Sequence, residues 1–336
     1  MKKLFGVIIS LILFLLSATL ISVADVAYAD DQADVTLFSA AADYMKLDHP
    51  EQIAVSDDYV VARDGAGFSV LFGGKTKRIE SPYVTNIDEM HIVGDHLVVF
   101  YNSENDRAFR LFDLSACVES DAGAFDVLNV SSDSVPEYPF SIAFDTESHK
   151  LYALYVGGCF SYDYNISNGI FSIVRYADNL VVKTPRGARS GAVKLAFSSG
   201  KLYFLQYDIN EYYLGRFTPD GTAASVEQFR SITANMTYDD IKLFAGSRYV
   251  LAASESADKC VFQLFDTVSS DNYTVSDIDY SGISMFGNFV YISQAESGRI
   301  IRYTYSPSAV DKLTENGIFA YKGDADYLLD SPSSAL

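Results

Sequence analysis

The chain repeats one short pattern of apolar and polar residues along most of its length. An apolar strand, a tight turn of Gly, Ser, Asp or Asn and a second apolar strand recur, as in GDHLVVF at 94–100 and GNFVYIS at 287–293. Seven such units align on the first apolar residue after each turn: Tyr59, Leu97, Leu151, Leu202, Tyr249, Phe289 and Tyr327. Successive anchors are 38, 54, 51, 47, 40 and 38 residues apart, which is the length of one four-stranded blade. The pattern therefore predicts an all-β propeller.

A second pair of segments supports the same register. Phe109–Asp113 reads FRLFD and Phe262–Asp266 reads FQLFD, 153 residues or three repeats apart. Strand alternation places the first Phe and the Leu of each segment on one side, and Arg110 and Gln263 on the other. These side-by-side pairs are Phe109 with Leu111 and Phe262 with Leu264. Arg302 occupies the equivalent position in a later repeat. We expect these segments to be equivalent third strands that pack on neighbouring blades.

The two ends of the chain predict how the ring closes. The seventh hairpin supplies two strands within 317–330, and segment 34–47 supplies two more before the first full repeat. Pairing these segments in one composite blade would close the ring and remove its exposed edges. This interpretation gives a seven-bladed propeller. The alternatives are a six-bladed ring with a frayed C-terminus and a chain cut from something longer.

The later repeats resemble a known type of sequence. Segment 287–293, followed by SGRIIR at 297–302, is similar to the NHL and YVTN repeats of secreted bacterial propellers. The resemblance covers most of residues 52–305. It implies binding or scaffolding more often than catalysis, and it supplies no functional residue. Propellers host many unrelated functions, so the fold by itself identifies no ligand.

The N-terminus has the pattern of an export signal. Lys2 and Lys3 precede an apolar run, and Ala27-Tyr28-Ala29 offers small residues at a signal peptidase site. We predict a signal peptide over 1–29, cleaved after Ala29, followed by a single propeller domain over 30–336. An uncleaved membrane anchor is the alternative, since about 20 apolar residues can span a bilayer. With cleavage, the mature chain is secreted and does not insert into the membrane.

Charge and composition exclude several classes of protein. The net charge of −19 argues against nucleic-acid binding, which requires a basic surface. Three cysteines, Cys117, Cys159 and Cys260, give no disulfide framework. The four histidines are not spaced as metal ligands, and no nucleotide-binding or catalytic signature occurs.

Carboxylates concentrate in the loops that connect second and third strands. These loops open on one side of a propeller, which we call the mouth face; the opposite side, with the short first-to-second strand turns, is the turn face. The candidate binding residues on the mouth face are Asp64, Glu104, Asp106, Asp208, Glu211, Tyr212, Glu255, Asp258 and Glu296. An acidic, Tyr-edged mouth could hold a cation, a basic peptide or a sugar. The alternative is that these carboxylates only keep an acidic exported protein soluble.

The functional prediction follows from the propeller fold, the export signal and the acidic mouth face. We expect an exported, non-enzymatic propeller that binds a protein or glycan at the bacterial cell surface. The alternatives are an extracellular hydrolase or lyase with a carboxylate-lined central pocket, and a structural spacer in a surface assembly. The sequence predicts no cofactor; Ca²⁺ stays open, although it needs about six to eight oxygen ligands and no segment supplies them.

Overall fold

The structure is a computed structural model that describes most of the chain from residue 47 to residue 320. The described residues are 47–72, 75–81, 84–85, 87–101, 109–119, 127–131, 139, 141–155, 158–167, 170–180, 191–208, 211–219, 227–232, 241–256, 259–269, 271–276, 278, 280–306 and 312–320. The predicted signal peptide and segment 34–46 lie outside them, so the division into 1–29 and 30–336 stays a prediction. Within these ranges no helix is long and apolar enough to cross a membrane.

Among the described residues, twenty-four strands form six four-stranded units, or blades, each built from consecutive strands. Blade 1 contains β1 (Pro50–Val55), β2 (Val60–Asp64), β3 (Gly67–Phe72) and β4 (Lys75–Glu80). Blade 2 contains β5 (Ile87–Val93), β6 (His96–Tyr101), β7 (Phe109–Asp113) and β8 (Val127–Ser131). Blade 3 contains β9 (Ser141–Asp145), β10 (Lys150–Tyr155), β11 (Gly158–Ser167) and β12 (Ile170–Leu180).

The other three blades follow the same plan. Blade 4 contains β13 (Gly191–Ser198), β14 (Lys201–Asp208), β15 (Glu211–Phe217) and β16 (Glu227–Ile232). Blade 5 contains β17 (Ile241–Ala245), β18 (Tyr249–Ser256), β19 (Lys259–Asp266) and β20 (Asn272–Ser276). Blade 6 contains β21 (Gly282–Phe286), β22 (Phe289–Gln294), β23 (Arg299–Tyr305) and β24 (Leu313–Ala320). A short helix, α1 (Leu114–Glu119), follows β7 and begins where the Asp113 carboxylate accepts the Ala116 N–H at 2.9 Å.

The hydrophobic core is divided among the spaces between blades. Six clusters of buried side chains each draw on two neighbouring blades, and the sixth joins blade 6 back to blade 1. Aromatic rings fill these spaces; Phe68 of blade 1 lies 5.3 Å from Phe112 of blade 2, centroid to centroid. A blade buries both faces in this way, which is why its second strand reads as a continuous apolar run such as Leu97–Phe100, all fully buried.

The ring closes through direct packing of blade 6 on blade 1. Tyr291 and Ile300 of blade 6 pack with Ile53 and Val60 of blade 1. The Ser293 hydroxyl donates a hydrogen bond to the Glu51 carbonyl across this seam. Gly282 lies so close to the same carbonyl that a Cβ at this position would collide with it. Six blades therefore complete the circle.

The seven-bladed prediction is not supported, and the six-bladed alternative agrees with the structure. The first six anchors each lie within one residue of the start of a second strand, from β2 to β22. The error lies at the C-terminus: residues 317–320 belong to β24, the outer strand of blade 6, where Ile318 pairs with Ile301. They are not the start of another blade. Tyr327 and the rest of the proposed composite blade lie outside the described residues.

The third-strand prediction is confirmed. Phe109–Asp113 is β7 of blade 2 and Phe262–Asp266 lies in β19 of blade 5, three blades apart. Phe109 and Phe262 are buried between blades, and Gln263 is buried on the other side of its strand. One departure from the regular plan is that β8 and β12, the outer strands of blades 2 and 3, pair in parallel and join these blades in one eight-stranded sheet.

Candidate functional site

The site with the most concentrated chemistry lies inside the ring, at the mouth-face end of its central channel. The first strand of every blade starts at the mouth face, so its early residues lie at this end. A small cavity of about 50 Å³ occurs here. Its lining comes from β1, β5, β13, β17 and β21: Gln52, Ile53, Asp88, Glu89, Met90, His91, Lys194, Leu195, Lys242, Leu243, Phe244 and Ile283.

Glu89 is the centre of this polar set. Its carboxylate accepts hydrogen bonds from the Ser141 hydroxyl at 2.8 Å and the Ile142 N–H at 3.1 Å, both of blade 3. The Lys194 ammonium of blade 4 lies 2.9 Å away. His91 Nε2, on the same strand as Glu89, lies at 3.2 Å. One carboxylate thus connects three blades.

The electrostatics of the site keep Glu89 ionised. Burial alone would raise the pKa of its carboxyl, but the charge of Lys194 and the hydrogen bond and charge of His91 lower this pKa to about 2. The side chain is only 14% exposed, so water screens these interactions weakly. A carboxylate with such a low pKa is a poor general acid or base at neutral pH, where catalysis favours groups that titrate near the working pH.

Ser141 extends the network behind Glu89. Its hydroxyl oxygen accepts the Leu195 backbone N–H at 3.0 Å while the hydroxyl donates to Glu89. Ser141 is fully buried, and its hydrogen bond with Leu195 links blades 3 and 4. These contacts satisfy a backbone donor and a carboxylate that burial would otherwise penalise.

Gln52 contributes a buried polar atom to the lining of this cavity. Its side-chain amide donates to the Ile87 carbonyl at 2.8 Å, which links blades 1 and 2. Its buried Oε1 has no hydrogen-bond partner among the described residues. A cavity of about 50 Å³ holds one or two water molecules, whereas ligand pockets usually measure about 300–1,000 Å³. The cavity fits water or a small polar group but not a sugar ring.

Asp64 is not on an exposed rim, contrary to the expectation for a mouth residue. Its carboxylate is fully buried and accepts the backbone N–H groups of Asp48 at 2.9 Å and His49 at 2.6 Å. The Ser69 hydroxyl donates at 2.7 Å, and Arg78 lies 3.4 Å away. Because the chain before β1 folds back over the end of β2, Asp64 holds that segment in place.

The structure separates the remaining mouth residues. Tyr212 is buried between blades 4 and 5, so it is part of the core. Glu296 is exposed in the β22–β23 turn. Asp208 and Glu211 are paired backbone positions at the end of β14 and the start of β15, and Glu255 is the residue before the end of β18. Glu104, Asp106 and Asp258 lie outside the described residues. A shared binding role for these residues stays a prediction.

Metal and thiol chemistry find no support in the part of the chain that is described. No group of three His, Cys, Asp or Glu side chains there is placed to hold a metal ion. Binding of Ca²⁺ therefore stays an open expectation from the sequence. Cys159 is a free, buried thiol whose pKa is raised by burial, as for a core residue.

Sequence reasoning missed Glu89, Ser141 and Lys194. Glu89 and Lys194 are 105 residues apart, and no motif connects them. The available signal was a charged residue in the first half of a first strand, which recurs as Glu89, Lys194 and Lys242. Only the ring geometry brings such positions together.

No family model matches this sequence, and no curated protein sequence does either. Solved structures with a similar course of the chain are propellers. PorZ of Porphyromonas gingivalis is 12% identical with a TM-score of 0.45, over 84% of this chain and 39% of PorZ. A chain of a nidogen–laminin complex is 10% identical with a TM-score of 0.46, over 76% of this chain and 90% of that one.

TolB of Acinetobacter baumannii is a third such structure. It is 11% identical with a TM-score of 0.43, over 79% of this chain and 63% of TolB. Of these structures, PorZ is much longer than the matched region, and this chain spans well under half of its length. The strand order, not these distant likenesses, establishes the propeller fold of this chain.

Proposed function

We propose that this chain is an exported, non-enzymatic propeller that binds a protein or glycan at the bacterial cell surface through its mouth face. The single observation that carries the proposal is the state of the channel. Glu89, one of two carboxylates in the lining, is ionised and held by contacts with three blades, and the cavity measures only about 50 Å³. A ligand larger than a few atoms would contact the surface around the channel.

The fold and charge support the mouth face as that surface. The described second strands end there and the third strands begin there, which brings to this face the exposed Glu296 and the paired positions Asp208 and Glu211. With a net charge of −19, the surface attracts cationic partners by an interaction that salt screens over about 8 Å. The ligand class that fits is a basic protein segment or a glycan bridged by cations. We also propose that the repeats of this chain are of the NHL and YVTN type.

One observation favours the alternative of a hydrolase or lyase. Ionisable side chains do converge in the channel, as an active site requires. However, the lowered pKa of Glu89 and its contact with Lys194 are typical of a structural ion pair. Hydrolysis of a glycosidic bond usually needs one carboxyl group whose pKa is raised. We therefore place binding before catalysis.

Two matched variants test the role of the mouth face. The first, D208N/E211Q/E296Q, removes three carboxylates from the mouth face; the second, D57N/D58N/E147Q, removes three exposed carboxylates from the turn face. Binding of each purified protein to a glycan array and to a culture-surface extract is measured at low and high salt. We expect the first variant alone to lose binding. Equal loss in both variants, or none in either, would contradict a specific mouth face.

Export is a separate part of the proposal. Cleavage after Ala29 requires the mature protein to begin at Asp30. N-terminal sequencing of protein recovered from the culture medium measures this directly. Protein that still begins at Met1 and stays with the membrane would support the anchor alternative.

A further inference from the structure

The outer strands of the six blades differ in how their free edges are treated. Those of blades 2 and 3 pair with each other, whereas β4, β16, β20 and β24 each end a sheet among the residues that the structure describes. The outer edge of such a strand presents backbone N–H and C=O groups that can pair with another chain. Proteins usually protect these edges with charges, proline or bulges.

Three of these four strands are protected, and β20 is not. Strand β4 reads KTKRIE, with charges at four of its six positions. Strand β16 reads EQFRSI and also carries both signs. Strand β24 contains Glu315, and its pairing with β23 is interrupted by two register shifts. Strand β20 reads NYTVS, with no charge, no proline and an unbroken register on β19.

The register of β20 shows which backbone groups its outer edge offers. The Asp266 N–H donates to the Asp271 carbonyl at 2.9 Å, where the β19–β20 hairpin closes. Hydrogen-bonded pairs alternate with non-bonded pairs in an antiparallel ladder. Tyr273 and Val275 therefore bond to β19, and Asn272 and Thr274 direct their backbone groups outward. The side chains of Asn272 and Thr274 are exposed.

The surroundings of β20 indicate what kind of segment would pair with it. Val268, in the turn that leads into β20, is 77% exposed and is the large hydrophobic side chain that stands out among the described residues. Asp271, the residue just before the strand, is exposed and carries a negative charge. Val275 is buried and Tyr273 packs on the core between blades 5 and 6, so the strand itself is firmly held.

We propose that β20 accepts an extended segment of another protein as an added strand. The segment would be uncharged at its centre, apolar where it meets Val268 and basic beside Asp271. A second copy of this chain fits less well, because each copy carries a net charge of −19 and would present another Asp271. Main-chain hydrogen bonds would supply the affinity and these side chains the selectivity. This surface is independent of the mouth face.

The test uses a synthetic probe and two substitutions at one edge position. The probe is the fluorescein-labelled peptide Lys-Thr-Val-Thr-Val-Thr-Lys, blocked at both ends, and binding to the full mature chain is followed by fluorescence anisotropy. Thr274→Pro removes an outward N–H without breaking the ladder on β19. We expect at least a tenfold weaker affinity for T274P and an affinity within about twofold for T274V, which keeps the backbone donor.

Two further measurements make the outcome decisive. Amide hydrogen exchange should slow at Asn272 and Thr274 when the peptide binds, with little change at Tyr273 and Val275. If T274P does not fold by circular dichroism, T274K replaces it and should weaken binding by charge. Failure of the wild-type chain to bind, or an affinity of T274P (or of its replacement T274K) equal to that of the wild type, would overturn the proposal. A dimer in sedimentation analysis that T274P dissociates would identify a second copy as the occupant and overturn it too.

Discussion

The seam where blades 2, 3 and 4 meet and the seam between blades 6 and 1 lie on the same inner ring but are held by different chemistry. At the first, the Glu89 carboxylate gathers the Ser141 hydroxyl, the Ile142 N–H and the Lys194 ammonium. At the second, Gly282 lets two backbones approach, and Ser293 donates to a backbone carbonyl. One seam depends on charge and the other on close packing.

The difference teaches which perturbations each seam should tolerate. A charged network depends on pH and on the identity of every partner, because an unmatched buried charge is costly. A close backbone approach is insensitive to pH but permits no added atom. The ring would therefore be opened at one seam by titration and at the other by a single methyl group.

The largest expected effect comes from adding that methyl group. The Cβ of Gly282→Ala would collide with the backbone carbonyl of Glu51, which no side-chain rotation can relieve. We expect the free energy of unfolding to fall by about 3 kcal/mol, the upper range for overpacking. Urea denaturation measures it. The control is Gly200→Asn, at a turn with open space, where asparagine tolerates the positive φ of 71°. Equal losses in both variants would show that the seam is not tightly packed.

Removal of the charge at the other seam should cost slightly less. Glu89→Gln leaves the Lys194 ammonium, whose side chain is only 20% exposed, without its anion. We expect a loss of about 2–3 kcal/mol, somewhat below the range for fully buried pairs because Lys194 retains some water contact. The double variant E89Q/K194M should lose less than the sum of the two single variants in a double-mutant cycle. Strict additivity would mean that the two side chains do not interact.

The pH dependence of stability should distinguish the seams next. Glu89 has a folded pKa of about 2 against an ordinary value of 4.5, so the unfolded chain binds the proton more readily. Its stabilisation is therefore complete above about pH 5 and disappears as the pH falls toward 2. Between pH 5 and pH 3 we expect a loss of about 2 kcal/mol from this group, by the linkage of pKa to stability.

Comparison with E89Q isolates this contribution. Asp266, which Arg248 and two backbone N–H groups bind, also has its pKa lowered to about 2 and titrates in the same range. E89Q should keep the part of the acid loss that comes from Asp266 and should show a shallower dependence on pH overall. If the free energy of unfolding depends on pH identically in wild type and E89Q, Glu89 does not contribute to the acid destabilisation. Gly282→Ala should leave the slope unchanged.

The two seams also explain how far the sequence could lead. The hairpins were predictable because an apolar strand, a tight turn and a second strand are adjacent in the chain, and six anchors mark the six second strands. The number of blades was not, because closure depends on a contact between Glu51 and Ser293, 242 residues apart. Asp64 was expected to be exposed because it precedes Gly65 in a turn between strands. Its carboxylate instead binds the backbone N–H groups of Asp48 and His49, which are 16 and 15 residues away in the sequence.

The smallest expected effect compares one hydroxyl at each seam. Ser293→Ala removes a hydrogen bond to a backbone carbonyl in a seam that packing already closes, so we expect a loss of about 1 kcal/mol. Ser141→Ala removes a donor to the Glu89 carboxylate and an acceptor for the Leu195 N–H, and bonds to charged groups are stronger, so we expect about 2 kcal/mol. Urea denaturation at pH 7 and near pH 2, where Glu89 of the folded chain is about half protonated, measures both. Because protonation of Glu89 weakens only the bond from Ser141, the gap between the two variants should narrow at the lower pH. A gap that is constant with pH, or a larger loss in S293A, would mean that charge does not distinguish the two seams.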